Sequence, residues 1–341
     1  MVHKTNSLYG FERVVLVADI RTSEANNSIE ERHDLEMSAP NVVENIRSAI
    51  NEIGLEVVHY EAPLELSENA RLHSQDIILS IFGGQKSRNR MCLVPAVCET
   101  HGLNYLGPDA YGRIMCQDKE VSKLLAREAG FLTPAYRLIR SQQDLINLEA
   151  LPLPYVIKPL LEGTSIGIGS QNLVSNHEMA KSITSKLIQE FDQPVIAEVF
   201  VPGREVSLNF IETEKGIITS FVELVMLDDP NYFSHNLYDV TTKGTGRDKR
   251  KNILIDMDEP KSLRRASKNL VASLGTVGFG RIDGKLFNNE FHFLEITPDA
   301  YLAPWGTIAA GYMAQGHTYA EFMKLILNSN RPKLPYQSAN D

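Results

Sequence analysis

The stretch Phe279 to Thr297 would bring two carboxylates, an arginine and a threonine together if it folds as a β-hairpin. Apolar-rich runs flank Asn288-Asn289-Glu290, and asparagine tolerates the left-handed backbone of a tight turn. With those three residues as the loop, Asp283 stands directly opposite Glu295, and Arg281 and Thr297 share their face. Facing carboxylates repel each other unless a cation lies between them. Oxygen ligands of this kind suit Mg²⁺, which takes one or two carboxylates together with phosphate oxygens. The spacing therefore points to a Mg-nucleotide site with Arg281 beside it. Taken alone, the same stretch is more simply an amphipathic hairpin with a polar solvent face.

Other stretches carry residues suited to phosphate. The loop Glu162-Gly163-Thr164-Ser165-Ile166-Gly167-Ile168-Gly169 follows a short strand holding Lys158. Glycines let backbone N–H groups approach phosphate oxygens. The lysine precedes this loop and no helix opens directly from a first strand, so neither the P-loop nor the dinucleotide fingerprint fits. Lys119 stands at the start of a helix, where its charge opposes the helix dipole. Glu198 lies mid-strand among apolar residues, where a carboxylate needs a partner or a bound donor. Glu205 follows in a second strand. The basic run Lys243 to Lys251 reads either as a solvated loop or as a lid that closes positive charge onto a polyphosphate.

The elements that must position these residues fall into two patterns. Strands are expected at 13–20, 55–60, 76–82 and 104–106, alternating with helices at 40–53 and 91–101. Such alternation implies a doubly wound parallel sheet, here residues 1–112. Beyond it come a helix at 118–129 with Val121, Leu124, Leu125 and Ala129 as its apolar side, strands at 154–159, 194–200, 204–211 and 216–226, and helices at 178–190, 260–274 and 318–328. The polar stretch 227–258 reads as a long loop, a kind usually functional or mobile.

The 341 residues allow two or three compact domains, and 43% apolar with 23% charged residues is a globular composition. A net charge of −9 gives no global signal for nucleic acid. Cys92, Cys98 and Cys116 are odd in number and fit no zinc spacing, so they are expected as reduced core thiols. No apolar run suggests a signal peptide or a membrane span, and a cytoplasmic location is the default expectation.

In combination the motifs resemble the ATP-grasp superfamily and, within it, the D-alanine–D-alanine ligases. The resemblance rests on Gln117-Asp118-Lys119, Val156-Ile157-Lys158-Pro159, Glu162 to Gly167, Ala197-Glu198, Pro202-Gly203-Arg204-Glu205-Val206, Gly278 to Asp283, Leu294-Glu295-Ile296-Thr297 and the loop Tyr238 to Lys243. It implies an α/β N-terminal domain (1–112) and two α+β subdomains (113–197 and 198–332) clasping ATP, with a polar tail at 333–341. Lys119 and Lys158 would contact the nucleotide phosphates, and Glu162, Gly163, Thr164 and Ser165 would cover them. Glu198, Val199 and Phe200 would form the adenine side, and Glu205 would meet the ribose. Asp283, Glu295 and Thr297 would hold two Mg²⁺ ions, with Mn²⁺ as the alternative. Arg281 and Lys243 would steady the transferred phosphoryl group, with Tyr238 and Ser165 beside it. Glu31 and Arg32 would receive the first substrate's amino group, and Asp299, Tyr301 and Trp305 would shape the acceptor side. A homodimer is a further expectation from the resemblance.

Three positions depart from the family pattern. Thr297 stands where the family has a metal-binding asparagine. Pro298 to Gly306 replaces a Ser-Pro-Gly-like acceptor segment, with Tyr301 in place of glycine. Phe82-Gly83 replaces the family's His-Gly. These changes favour a ligase of specialised metabolism, joining an amino acid to a carboxylate or, as in mycosporine-type ligases, to a phosphorylated carbonyl oxygen. The alternatives are a true D-alanine–D-alanine ligase of peptidoglycan synthesis, an ATP-binding module without catalysis, and a sheet protein with no nucleotide.

Overall fold

The computed structural model describes residues 10–21, 34–84, 87–244, 247–256, 260–298 and 301–332. Glu31, Arg32 and Asp299 lie outside the described residues.

The chain opens with β1 (Arg13–Val17), α1 (Pro40–Glu52), β2 (Glu56–Tyr60), α2 (Pro63–Asn69), β3 (Ile77–Ser80), α3 (Leu93–His101) and β4 (Asn104–Tyr105). The strands form a parallel sheet in the order β2-β1-β3-β4. Val14 and Leu16 pack under α1, and Val15 and Val17 pack against Leu66, Val94 and Cys98 on the opposite face. Cover on both faces explains why β1 reads as a continuous apolar run.

Next come α4 (Ala110–Gln117), α5 (Lys119–Ala129), β5 (Tyr136–Ile139), β6 (Tyr155–Pro159), β7 (Leu173–Val174), α6 (His177–Phe191) and β8 (Val195–Val199). Their strands pair antiparallel in the order β5-β8-β6-β7. Asp118 caps α5 by accepting from Glu120 N at 2.9 Å and Val121 N at 3.1 Å. The buried side of α5 differs from the apolar side expected. Leu124 is 46% exposed, whereas Lys119, Ser122, Lys123 and Ala126 are buried. The helix turns its polar face inward because a carboxylate waits there for Lys123.

The third unit comprises β9 (Arg204–Thr213), β10 (Gly216–Met226), α7 (Val240–Gly244), β11 (Arg250–Leu254), α8 (Lys261–Ser273), β12 (Phe279–Phe287), β13 (Glu290–Thr297), α9 (Thr307–Met313) and α10 (Tyr319–Leu327). Its antiparallel order is β11-β10-β9-β12-β13. Val206, Leu208 and Phe210 pack against Leu263, Leu270 and Val271 of α8. By strand alternation Glu205, Ser207 and Asn209 then face the other way.

Two expectations are corrected here. The hairpin loop is two residues, not three, because Phe287 pairs with Glu290 and both Asn288 and Asn289 take positive φ. A shift of register between Asp283 and Gly284 leaves Leu294 as an extra residue and restores Asp283 to a position opposite Glu295. Gly284 is needed at the shift, where a Cβ would stand 2.5 Å from His292 O. The stretch 227–258 is not one long loop. It contains α7 and β11, and β11 extends the sheet beside β10, so Arg250 and Lys251 belong to a strand.

Candidate active site

The antiparallel sheets and the first domain enclose a cavity of ≈ 990 Å³. Asp283 and Glu295 face each other across β12 and β13, and Arg281 pairs with Thr297 two residues along. Asp283 accepts from Arg281 Nε at 2.8 Å and from Ser207 Oγ at 2.5 Å. Burial pushes the Asp283 carboxyl up, more than the Arg281 charge pulls it down, and the charge on Glu295 adds to the rise. Burial opposes ionisation of Glu295 too, but Lys119, Lys158, Lys243 and Arg281 overcome it and hold that carboxyl below its usual range. The two carboxyls are thus shifted in opposite directions, Asp283 up and Glu295 down. Among the described residues, no group of three or more His, Cys, Asp or Glu side chains is placed to hold a metal ion by itself. Two carboxylates and the Thr297 hydroxyl form a donor set that Mg²⁺ accepts when phosphate oxygens and water complete its shell.

Three lysines stand near Glu295. Lys119, in the first turn of α5, donates to the carbonyls of Glu162 and of Leu160, the latter at 3.4 Å. Burial lowers its pKa, with Glu295 opposing the fall. Lys158 of β6 pairs with Glu198 Oε1, and Lys123 Nζ stands 2.7 Å from Glu198 Oε2. The buried carboxylate therefore sits between two ammonium groups. Burial resists its ionisation, but Lys123 and Lys158 bring it down to about 2. Lys123 also donates to Leu294 O at 3.0 Å, the carbonyl of the extra residue next to Glu295. Burial lowers Lys123 to about 8, with Glu198 opposing the shift. Sequence reasoning missed Lys123. Its signal was the one-turn spacing from Lys119 on α5.

The glycine loop is fixed from the first domain. Gly163 N donates to Glu36 Oε1 at 2.6 Å, and Arg90 bridges Glu36 Oε2 at 2.8 Å and Glu162 Oε2 at 3.2 Å. Glu36 and Arg90 left no local sequence signal, since their partners lie far along the chain. Thr164 and Ser165 adopt positive φ, and Ser165 Oγ donates to Tyr238 O at 2.7 Å. Val240 N donates to Ile168 O at 3.0 Å. The glycine loop and the segment carrying α7 are thus docked on one another.

Lys243 lies in α7 with its ammonium 4.8 Å from the centre of the Tyr238 ring. Arg250 holds the α7 turn through the carbonyls of Thr242 and, at 2.9 Å, Lys243. Burial pushes the Tyr238 hydroxyl up and brings Lys243 down to about 8, the nearby Glu295 opposing the latter. Lys243 is an ammonium below that pH and a neutral amine above it. If its charge is needed for the nucleotide, kcat/KM for ATP falls roughly tenfold per pH unit above about pH 8. The Lys243→Arg variant should lose that alkaline limb, and an unchanged limb would assign it to another group.

At the far end of the cavity Glu205 meets Lys285 Nζ at 2.9 Å, with Val199 and Phe200 on the same wall. Thr297, Tyr301 and Trp305 line the end nearest the first domain, together with Phe82. Asn252 Nδ2 donates to Trp305 O at 3.0 Å and fixes that segment to β11. The described site residues named from sequence, with their pairings above, all border this one cavity.

The comparisons with known proteins agree with this geometry. Residues 125–328 match the family model described as D-ala D-ala ligase C-terminus. A D-alanine–D-alanine ligase of Thermotoga petrophila is 26% identical over 290 residues, covering 84% of this chain and 90% of that protein. The Aquifex aeolicus ligase of the same name is 24% identical over 283 residues, 83% of this chain and 92% of its own. Among solved structures, D-alanine–D-alanine ligase from Bacillus anthracis complexed with ATP aligns with TM-score 0.67 at 18% identity, covering 93% of this chain and 96% of that one. A D-Ala:D-Ser ligase from Enterococcus faecalis gives 0.68 at 17%, covering 93% and 98%. The fold is thus that of the ATP-grasp ligases. The chain belongs to the D-alanine–D-alanine ligase family and is an ATP-dependent carbon–nitrogen ligase that forms ADP and phosphate. Among the described residues, no helix is long and apolar enough to cross a membrane.

Proposed function

We propose that the chain phosphorylates the carboxylate of one small substrate and joins it to the amine of an amino acid. D-Alanine in both roles is the reading that the relatives' names support, ahead of a specialised role. The carrying observation is one cavity in which the facing Asp283–Glu295 pair lies among Lys119, Lys158, Lys243 and Arg281. Lys119 and Lys158 would take the phosphates, with Glu162, Gly163, Thr164 and Ser165 over them. Glu198, Val199 and Phe200 would line the adenine end, and Glu205 would accept from the ribose. Asp283, Glu295 and Thr297 would hold Mg²⁺, which supplies neutralisation of the phosphate charge.

The substrate's carboxylate oxygen attacks the γ-phosphorus and the bond to ADP breaks, leaving an acylphosphate. The amine then attacks the acyl carbon. Phosphate departs with that carboxylate oxygen and accepts the amine's proton, for no side chain stands out as the base. Arg281 would steady the transferred phosphoryl group and then the oxyanion. The Ser165–Tyr238 contact would keep water from the acylphosphate, with Lys243 facing the same group.

Thr297, Tyr301 and Trp305 favour a second reading, a ligase for another amino acid or for a carbonyl acceptor, since these residues stand where the resemblance expects a different acceptor end. An ADP-release screen separates the readings. Release with D-alanine alone supports the first. Release only with another amino acid and a carboxylate or enaminone partner supports the second. ATP binding without release for any pair would contradict both.

A further inference from the structure

Lys285 is a buried lysine that the roles above do not use. It lies on β12 directly opposite Glu205 of β9, two residues along from the Asp283–Ser207 pair. Two residues of strand span about 7 Å, a step of the size that separates a nucleotide's sugar from its outer phosphates. Lys285 is 5% exposed, with two carbonyls and one carboxylate around its ammonium. Its Nζ meets Glu205 Oε2 at 2.9 Å, Phe233 O at 2.9 Å and Gly203 O at 3.4 Å. The rings of Phe200 and Phe233 stand 5.7 Å and 5.4 Å from the ammonium. The ammonium borders the cavity, where it holds a cavity carboxylate and the carbonyl of a segment leading into α7.

We propose that Lys285 is a specificity-determining positioning residue. It aims the Glu205 carboxylate at the sugar hydroxyls and ties the Phe233 segment to that carboxylate, so that a ribonucleotide is preferred over a deoxyribonucleotide. The inference rests on the reading that Glu205 faces the ribose. A carboxylate released from Lys285 loses its fixed direction and, with it, the selectivity of the bond to the 2′-hydroxyl. Lys285→Met removes the ammonium, and Lys285→Arg keeps a cation that can still reach Glu205.

The test is kcat/KM for ATP and for 2′-deoxyATP in the native enzyme and in Lys285→Met, Lys285→Arg and Glu205→Gln. The native enzyme should prefer ATP. Lys285→Met and Glu205→Gln should each cut that preference about tenfold, the double variant should cut it no further, and Lys285→Arg should restore part of it. A Lys285→Met enzyme that keeps the native ratio while Glu205→Gln loses it would overturn the inference and leave the Glu205 reading standing. Native ratios in both variants would show that Glu205 does not face the sugar, which overturns both. If Lys285→Met does not fold, Lys285→Gln carries the same comparison.

Discussion

Glu295→Gln should lower ADP release at least 10²–10³-fold, roughly the loss seen when one preorganised charge-stabilising group is removed. The side chain keeps its shape, and no described ammonium or guanidinium pairs with Glu295 directly, so the fold should stay intact. What disappears is the anion that Lys119, Lys158, Lys243 and Arg281 surround. The phosphates and the metal would then meet an unbalanced cluster of cations. Initial rates at saturating ATP, beside a urea denaturation curve, check both halves of the expectation. Turnover that survives would remove Glu295 from the metal site.

Glu198→Ala should be the most destabilising single change in the cavity wall. Lys123 pairs with one oxygen of this carboxylate and Lys158 with the other. Without it, two buried ammonium groups face one another across a gap. Removing one partner of a buried ion pair costs about 3–5 kcal/mol because the remaining charge is uncompensated. The pH dependence carries a sign. Lys123 already stands at about 8 and would fall further, while its unfolded counterpart titrates near ~10.4. Below about pH 8 the native Lys123 stays protonated in both states whereas the variant's loses its proton on folding, so the deficit of the variant should shrink as pH rises towards 8 and stay constant above it. Replacing all three groups together, as Lys123→Met, Lys158→Met and Glu198→Leu, should recover most of the stability and none of the activity. Urea midpoints across pH 7 to 10 decide it, and a loss below about 1 kcal/mol would show that the carboxylate is better solvated than its burial implies.

Most residues that border this cavity were legible in the sequence because each motif sits within a few residues of its own strand or loop. Asp283 opposite Glu295 could be read from hairpin pairing alone, although two errors cancelled. The turn is one residue shorter than expected, and the extra residue at Leu294 makes up the difference. No local pattern announces such a bulge. Gly284 is its trace, visible only once the crowding by His292 O is known.

Lys123 was hidden for a different reason. An apolar count along α5 places Leu124 inside and Lys123 outside, and the packing reverses this because Glu198 and the Leu294 carbonyl lie beneath the helix. Hydrophobic periodicity finds a helix facing an apolar core and fails for one facing a charged cavity. Glu36, Arg90 and Lys285 belong to the same class. Their meaning lies in partners brought close by the tertiary fold, such as Arg90 with Glu162 and Lys285 with Phe233 O. The segment 227–258 reads as a loop because Asp228, Asp229, Asn231, His235 and Asn236 are indeed exposed, and its order rests on a few buried residues instead. Phe233 and Val240 anchor it, and β11 completes a sheet edge.

The central claim is that this cavity activates an oxygen of its substrate by phosphorylation before a carbon–nitrogen bond forms. Transfer of label tests it most directly. The enzyme is supplied with ATP, Mg²⁺ and the amino acid that supports ADP release, D-alanine first, with ¹⁸O in its carboxylate. One ¹⁸O atom should appear in the released inorganic phosphate for each bond formed. Unlabelled phosphate, with both labelled oxygens left in the carbon product and the free acid, would contradict it.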